Sequence, residues 1–180
     1  MGINIGMVGN APAKARVTIK NNDAQVLKAN APVVLDFSVT GADLGRAVKS
    51  TNSLAAAEQG NFFGINISGD LNNGIEGEAQ VFGYNPNARV VLTTRTATGA
   101  TWASIAAGSI GEYLTMGTGT GSAASLGDQA LVRVGTAAMT VAQFARLCET
   151  FASTDTQASS LGPQSQTIWT STRKIFLARM

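Results

Sequence analysis

The chain has 180 residues, 44% hydrophobic and 13% charged, with a formal net charge of +2, one cysteine and no histidine. That length fits one domain, or one domain with an arm. The lone Cys148 excludes an internal disulfide framework, and the lack of histidine excludes His-based triads, His proton shuttles and most zinc sites.

Soluble domains usually carry about 25% charged residues, so this weakly charged chain suits burial against copies of itself or a partner. The longest apolar runs, such as Pro32-Val33-Val34-Leu35, fall far short of the roughly 20 residues that span a bilayer. The first residues lack the basic start and continuous apolar stretch of a secretion signal. No membrane partner is expected.

Residues 1–30 mix Gly, Asn, Ala, Pro and Lys around one short alternating piece, Arg16-Val17-Thr18-Ile19-Lys20. They read as an extended N-terminal arm, ordered only when it lies on something. The arm holds the excess positive charge: Lys14, Arg16, Lys20 and Lys28 stand against Asp23 alone, while the other 150 residues hold nine basic and ten acidic groups. Four dispersed bases without interleaved aromatics lack the stacking platform and basic stripe of a nucleic-acid groove, so no nucleic-acid partner is expected. An arm lying on an acidic protein neighbour, or a solvated tail, fits better.

Residues 31–180 read as a single β-rich domain. Pro32 to Val39 is a strand by β-branched content, stopped at Gly41. Over Leu44 to Gly60 a short helix and a loop crossing fit equally. Asn61 to Ser68 alternates Phe63, Ile65 and Ile67 on one face and ends at the Gly69-Asp70 turn. Ile75 to Gly83 places Glu76, Glu78 and Gln80 opposite Ile75, Ala79 and Val81, as in a half-buried strand. Asn85-Pro86-Asn87 reads as a turn before a returning strand, Ala88 to Thr94.

Further strands are expected at Gly111 to Met116 and Gln129 to Val134, joined by a Gly, Ser and Thr-rich loop over 117–127. Thr140 and Gln143 form a T-x-x-Q capping box, followed by Val141, Phe144, Ala145, Cys148, Phe151 and Ala152 at helical spacing. These predict one amphipathic helix over about 141–152. Ile168 to Leu177 reads as a final strand.

Chemistry-bearing motifs are few. Cys148, set among Phe144, Ala145, Leu147 and Phe151, is a small buried hydrophobe in its bland reading. Glu76 and Glu78 lie two apart on a strand and so point the same way, which alternation on a solvated face explains. Gly117 to Gly121 lacks the Lys-Ser/Thr of a phosphate loop, and Gly2 to Gly9 follows no strand. Asp70-Leu71-Asn72-Asn73-Gly74 echoes a calcium loop with its glycine one position early. Asn66-Ile67-Ser68 is a glycosylation sequon inside a strand. No enzyme activity, cofactor or metal is expected.

The stretch Phe63-Gly64-Ile65-Asn66-Ile67-Ser68, then Asn73 to Gly83, then Ala106-Ala107-Gly108-Ser109-Ile110-Gly111-Glu112-Tyr113-Leu114 resembles tailed-phage head-decoration, or capsid cement, proteins. The likeness covers about residues 60–135, and the family pattern does not demand the helix near 141–152 or the long last strand. It implies a small β-barrel, β-tulip or sandwich on the outer surface of a capsid assembled in the host cytoplasm. The protein would be a dimer or trimer whose partner is the major capsid protein. The partner-binding residues would be Lys14, Arg16, Val17, Thr18, Ile19, Lys20 and Lys28, with Arg16 to Lys20 adding a strand to a neighbour's edge. A tail-tube, fibre or other appendage component, and a small-ligand-binding barrel or an enzyme without histidine, are the other readings that composition leaves open.

Overall fold

The computed structural model describes residues 14–51, 62–95, 102–105, 107–116, 129–135, 144–152 and 170–178. Among them the chain is almost entirely strand: β1 Ala15–Asn21, β2 Pro32–Leu35, β3 Ala47–Ser50, β4 Phe62–Asn66, β5 Glu76–Val91, β6 Thr93–Arg95, β7 Trp102–Ile105, β8 Tyr113–Met116, β9 Leu131–Gly135, β10 Ala145–Leu147 and β11 Thr170–Leu177. Among the described residues, Gly41–Asp43 forms a short 3-10 turn and no α-helix is present.

The pairings close on themselves twice, and both circuits include β5. In the first, β1 pairs β3, β3 pairs β2, β2 pairs β4, β4 pairs β5, and β5 returns to β1. In the second, β5 pairs β11, β11 pairs β10, β10 pairs β8, β8 pairs β9, and β9 returns to β5. We term these ring one and ring two. Each ring is antiparallel except for one short parallel contact, β1 with β3 and β5 with β9. β6 and β7 form a separate two-stranded sheet.

Alternation of side chains sorts the core. Ile19, Val33, Val48 and Ala79 pack together with Leu27 and Leu71, whose mutual backbone pairing brings the 22–30 loop onto ring one. Val34 and Ile65, one position out of phase with Val33 and Asn66, instead join Ala88, Val90, Leu114, Leu131, Ala145, Ile175 and Leu177. The outer face of β2 and β4 thus packs on the core of ring two. Gln129 ties the rings again: its amide donates to the Val26 carbonyl at 2.7 Å and its Oε1 accepts the Lys28 N–H at 2.9 Å.

Several expectations need correction. Residues 15–30 are no detached arm: β1 is a ladder member, and Ile19 and Leu27 are fully buried. Residues 1–13 lie outside the described residues. No helix forms over 144–152. Ala145–Leu147 is β10, held between β8 and β11, and Phe151 bridges to Gly108. The capping residues Thr140 and Gln143 lie outside the described residues. Ala145-Arg146-Leu147 alternates as well as it spirals, and pairing on both edges overrides weak local helix preference.

Asn85-Pro86-Asn87 does not reverse the chain either. β5 runs straight through it, with a register break between the pairs Arg173↔Ala88 and Ile175↔Asn85. Proline is tolerated at such a bulge because no ladder hydrogen bond is asked of it. Within β4, Val33 pairs Gly64 and Val34 pairs Phe62, so Phe63 is skipped. Phe63 consequently turns to the core of ring one, while Phe62 stacks on Phe144 at 4.7 Å beside ring two. β3 fell in a region read as helix or crossing; its residues 52–60 lie outside the described ones.

Candidate functional site

Hydrogen bonding along β1 alternates, and the alternation decides which backbone groups are used. Asn21 N–H donates to Ile75 O at 3.0 Å on the β5 side, whereas Lys20 N–H donates to Arg46 O and Asn22 N–H to Val48 O on the β3 side, both at 2.9 Å. By period, Val17 and Ile19 face β5 with Asn21, and Arg16 and Thr18 face the other way with Lys20. The β3 pairing covers only Lys20 and Asn21. The backbone N–H and C=O of Arg16 and Thr18 therefore form an edge with no strand beside it among the described residues.

Side chains frame this edge. Arg16 lies 3.7 Å from Glu78, both more than half exposed, and Thr18 is exposed between them and the turn. At its closed end Lys20 meets Asp43 at 2.6 Å, Arg46 holds the other oxygen of Asp43 at 2.6 Å, and Arg46 also reaches Glu76 at 2.7 Å. Hydrogen bonds from Lys20 and Arg46 hold the Asp43 carboxyl below its ordinary value. Lys14 stands 5.9 Å above the Tyr84 ring at the open end.

The structure thus brings Lys14, Arg16, Val17, Thr18, Ile19 and Lys20 together but in two roles. Val17 and Ile19 point into ring one as core, and the rest line the edge. Lys28 sits elsewhere, paired with Asp70 at 2.9 Å. Arg16 to Lys20 is also not a free augmenting strand, since one edge is already taken by β5.

The remaining motifs among the described residues resolve as local structure, while Gly2 to Gly9 and Gly117 to Gly121 lie outside the described residues. Glu76 and Glu78 each face an arginine. Asp70 accepts from the Ala29 N–H and the Lys28 ammonium, both at 2.9 Å, and these lower its pKa. Gly74 takes φ 79°, so the calcium-like sequence is a turn that needs glycine. Asn66 is fully buried, its amide donating to Lys28 O and Gly69 O, which leaves no access for a glycan. Burial, followed by the charge of Glu149, pushes the Cys148 thiol up. Among the described residues no three His, Cys, Asp or Glu side chains converge as metal ligands, and no helix is long and apolar enough to cross a membrane.

The most constructed polar site lies inside ring two. Arg133 grips Glu112 through Nε at 2.5 Å and Nη2 at 2.8 Å, while Nη1 donates to Leu92 O and Nη2 to Ala107 O, each at 2.8 Å. Both residues are at most 8% exposed. The guanidinium carbons of Arg133 and Arg173 stand 4.8 and 4.6 Å from the Phe151 ring centre. Comparison of the chain with protein-family models, curated proteins and solved structures finds no match. Sequence reasoning missed this cluster because its members, Glu112, Arg133, Phe151 and Arg173, are scattered along the chain, and only pairing of β8, β9 and β11 assembles them. The four hydrogen bonds described for Arg133 all stay within the protein, so the cluster's chemistry is that of a fastening.

Proposed function

We propose that the chain is a structural virion protein that binds the outer surface of a capsid and reinforces contacts between its subunits, with the major capsid protein as partner. The observation that carries the reading is the outer edge of β1, where Arg16 and Thr18 offer backbone groups beyond the end of β3. An extended segment of a neighbour would add there as a strand, its backbone supplying affinity and its alternate side chains selectivity. Each hydrogen bond gains only about 1 kcal/mol net, so so short an edge suits a lattice on which many weak contacts act together.

Each closed ring is read as a small barrel, and the protein as a dimer or trimer on the shell. The sequence phrases shared with head-decoration proteins and the low charge support the same reading. The role of β1 differs from that of a donated arm: it receives a strand.

Proline tests this. At Thr18 it removes an N–H that points away from β5, whereas at Val17 it removes one that the ladder uses. The expected outcome is that Thr18→Pro keeps the native far-UV spectrum and loses cosedimentation with undecorated tailed-phage capsids, while Val17→Pro lowers the unfolding midpoint. Undiminished cosedimentation of a folded Thr18→Pro protein would defeat the proposal.

A further inference from the structure

The outer face of ring two carries a groove that strand addition at β1 does not use. Registers set Tyr84 opposite Phe176, Phe176 opposite Arg146, and Arg146 opposite Tyr113, across β5, β11, β10 and β8. Directly opposed residues share a face, so these four form one row. Their neighbours Ala145, Leu147, Ile175 and Leu177 fill the core on the other face. Phe82 meets Phe176 edge to face at 5.6 Å. Beside the row opens a groove of about 380 Å³ walled by Ile110, Tyr113, Leu147, Cys148, Phe176 and Ala178, with Arg146 alongside.

Arg146 is held in place by neutral groups. Its guanidinium lies 3.8 Å from the Tyr113 ring centre, donates to Tyr113 Oη at 2.5 Å and reaches Gly111 O at 3.4 Å. No carboxylate among the described residues pairs with it, whereas Arg16, Lys20, Lys28, Arg46, Arg133 and Lys174 each meet one. Glu149, the nearest acid in sequence, is engaged by the Lys174 ammonium at 3.3 Å and the Lys174 N–H at 2.9 Å. A guanidinium has five donors in a planar fork that matches a carboxylate, and two of them are committed here.

We propose that this groove binds a small carboxylic acid with an apolar tail, the carboxylate on Arg146 and the tail against Ile110, Phe176 and Ala178. The volume falls near the lower end of the roughly 300–1,000 Å³ common for ligand sites. A single cation among apolar walls selects one negative charge and rejects a polyanion, and the neutral thiol of Cys148 adds no repulsion.

Octanoate, octanol and octylammonium titrated into the full chain, followed by calorimetry and amide NMR, provide the test. Octanoate is expected to saturate, to move the amides of Gly111, Arg146 and Phe176, and to bind at least about tenfold tighter than octanol, with octylammonium weakest. Arg146→Gln should cost octanoate about that tenfold and leave octanol unchanged, and Ala178→Trp should block all three without shifting the urea midpoint. No saturable binding, equal affinity for octanoate and octylammonium, or an Arg146→Gln protein that binds octanoate as before overturns the proposal. So does displacement of octanoate by a hexapeptide ending in leucine at a hundredth of its concentration, which would make the face a protein dock.

Discussion

Ring one and ring two share a strand and a pattern of closure, yet they are fastened by different chemistry. Ring one encloses mainly aliphatic side chains and carries a partly exposed charged run outside, from Lys20 through Asp43 and Arg46 to Glu76, while Asp23 and Asp36 are buried. Ring two encloses a guanidinium, a carboxylate and the Phe151 ring beside its own aliphatic core. The contrast teaches that closing a small ring fixes the backbone pairings and leaves the filling open. A buried ion pair is tolerated when its donors find acceptors, as in the four hydrogen bonds made by Arg133.

The sharpest way to break the contrast is to remove one charge of the buried pair. Glu112→Leu leaves Arg133 buried without its carboxylate and should cost about 3–5 kcal/mol, while adding Arg133→Met should recover much of that. Urea unfolding of the single and double variants measures both. The corresponding loss in ring one is a cavity: Ile19→Ala, at a fully buried position, should cost about 3 kcal/mol by the same assay and show no rescue by any change of charge. If both rings responded only to volume, the contrast would collapse.

A smaller effect is expected at Gly108. A Cβ there would come far closer to the Phe151 ring than van der Waals contact allows, so Gly108→Ala should cost about 1–3 kcal/mol through overpacking and weaken the contact of Arg133 with that ring. Thermal unfolding gives the cost.

The least effect is a pH dependence seated in ring one. At Asp36 burial acts upward but hydrogen bonds from Ser38 and Asn22, with the Lys49 charge, outweigh it, so the carboxyl sits low. Asp43 and Asp70 are lowered by their partners as well. Lowered folded values stabilise the fold fully above the ordinary aspartate value of roughly 3.9, and that contribution drains away as pH falls through the lowered values. The urea midpoint should thus be level near neutrality and fall in acid. A variant carrying Asp36→Asn, Asp43→Asn and Asp70→Asn should show a shallower fall.

Legibility in the sequence divides along a similar line. β2, β4, β8, β9 and β11 were readable because each is an apolar or alternating run bounded by turn residues, a signal confined to neighbours in the chain. β1 had the right alternation at Arg16 to Lys20, but its partners β3 and β5 are not visible locally, so it read as an arm. The bulge at Asn85-Pro86-Asn87 has the composition of a turn, and only the β11 ladder distinguishes the two. β10 is three residues long, too short for period to separate strand from helix, and with it the row containing Arg146 and Tyr113 was hidden. On the candidate edge, sequence located the residues and misjudged their role: Thr18 and Arg16 face outward, whereas Ile19 and Val17 are core.

The shared strand has a mechanical meaning. Ala15 lies opposite Phe82 and Leu177 opposite Gly83, so the first and last described strands bring their outer ends to the middle of β5. Both run antiparallel to it. Tension that draws residues 14 and 178 apart therefore acts across the strands at the middle of β5 and opens each ladder from that end, one rung at a time. A molecule pulled this way opens as a zip does, and it would resist far more if β1 or β11 were drawn along its own length, which loads a whole ladder at once.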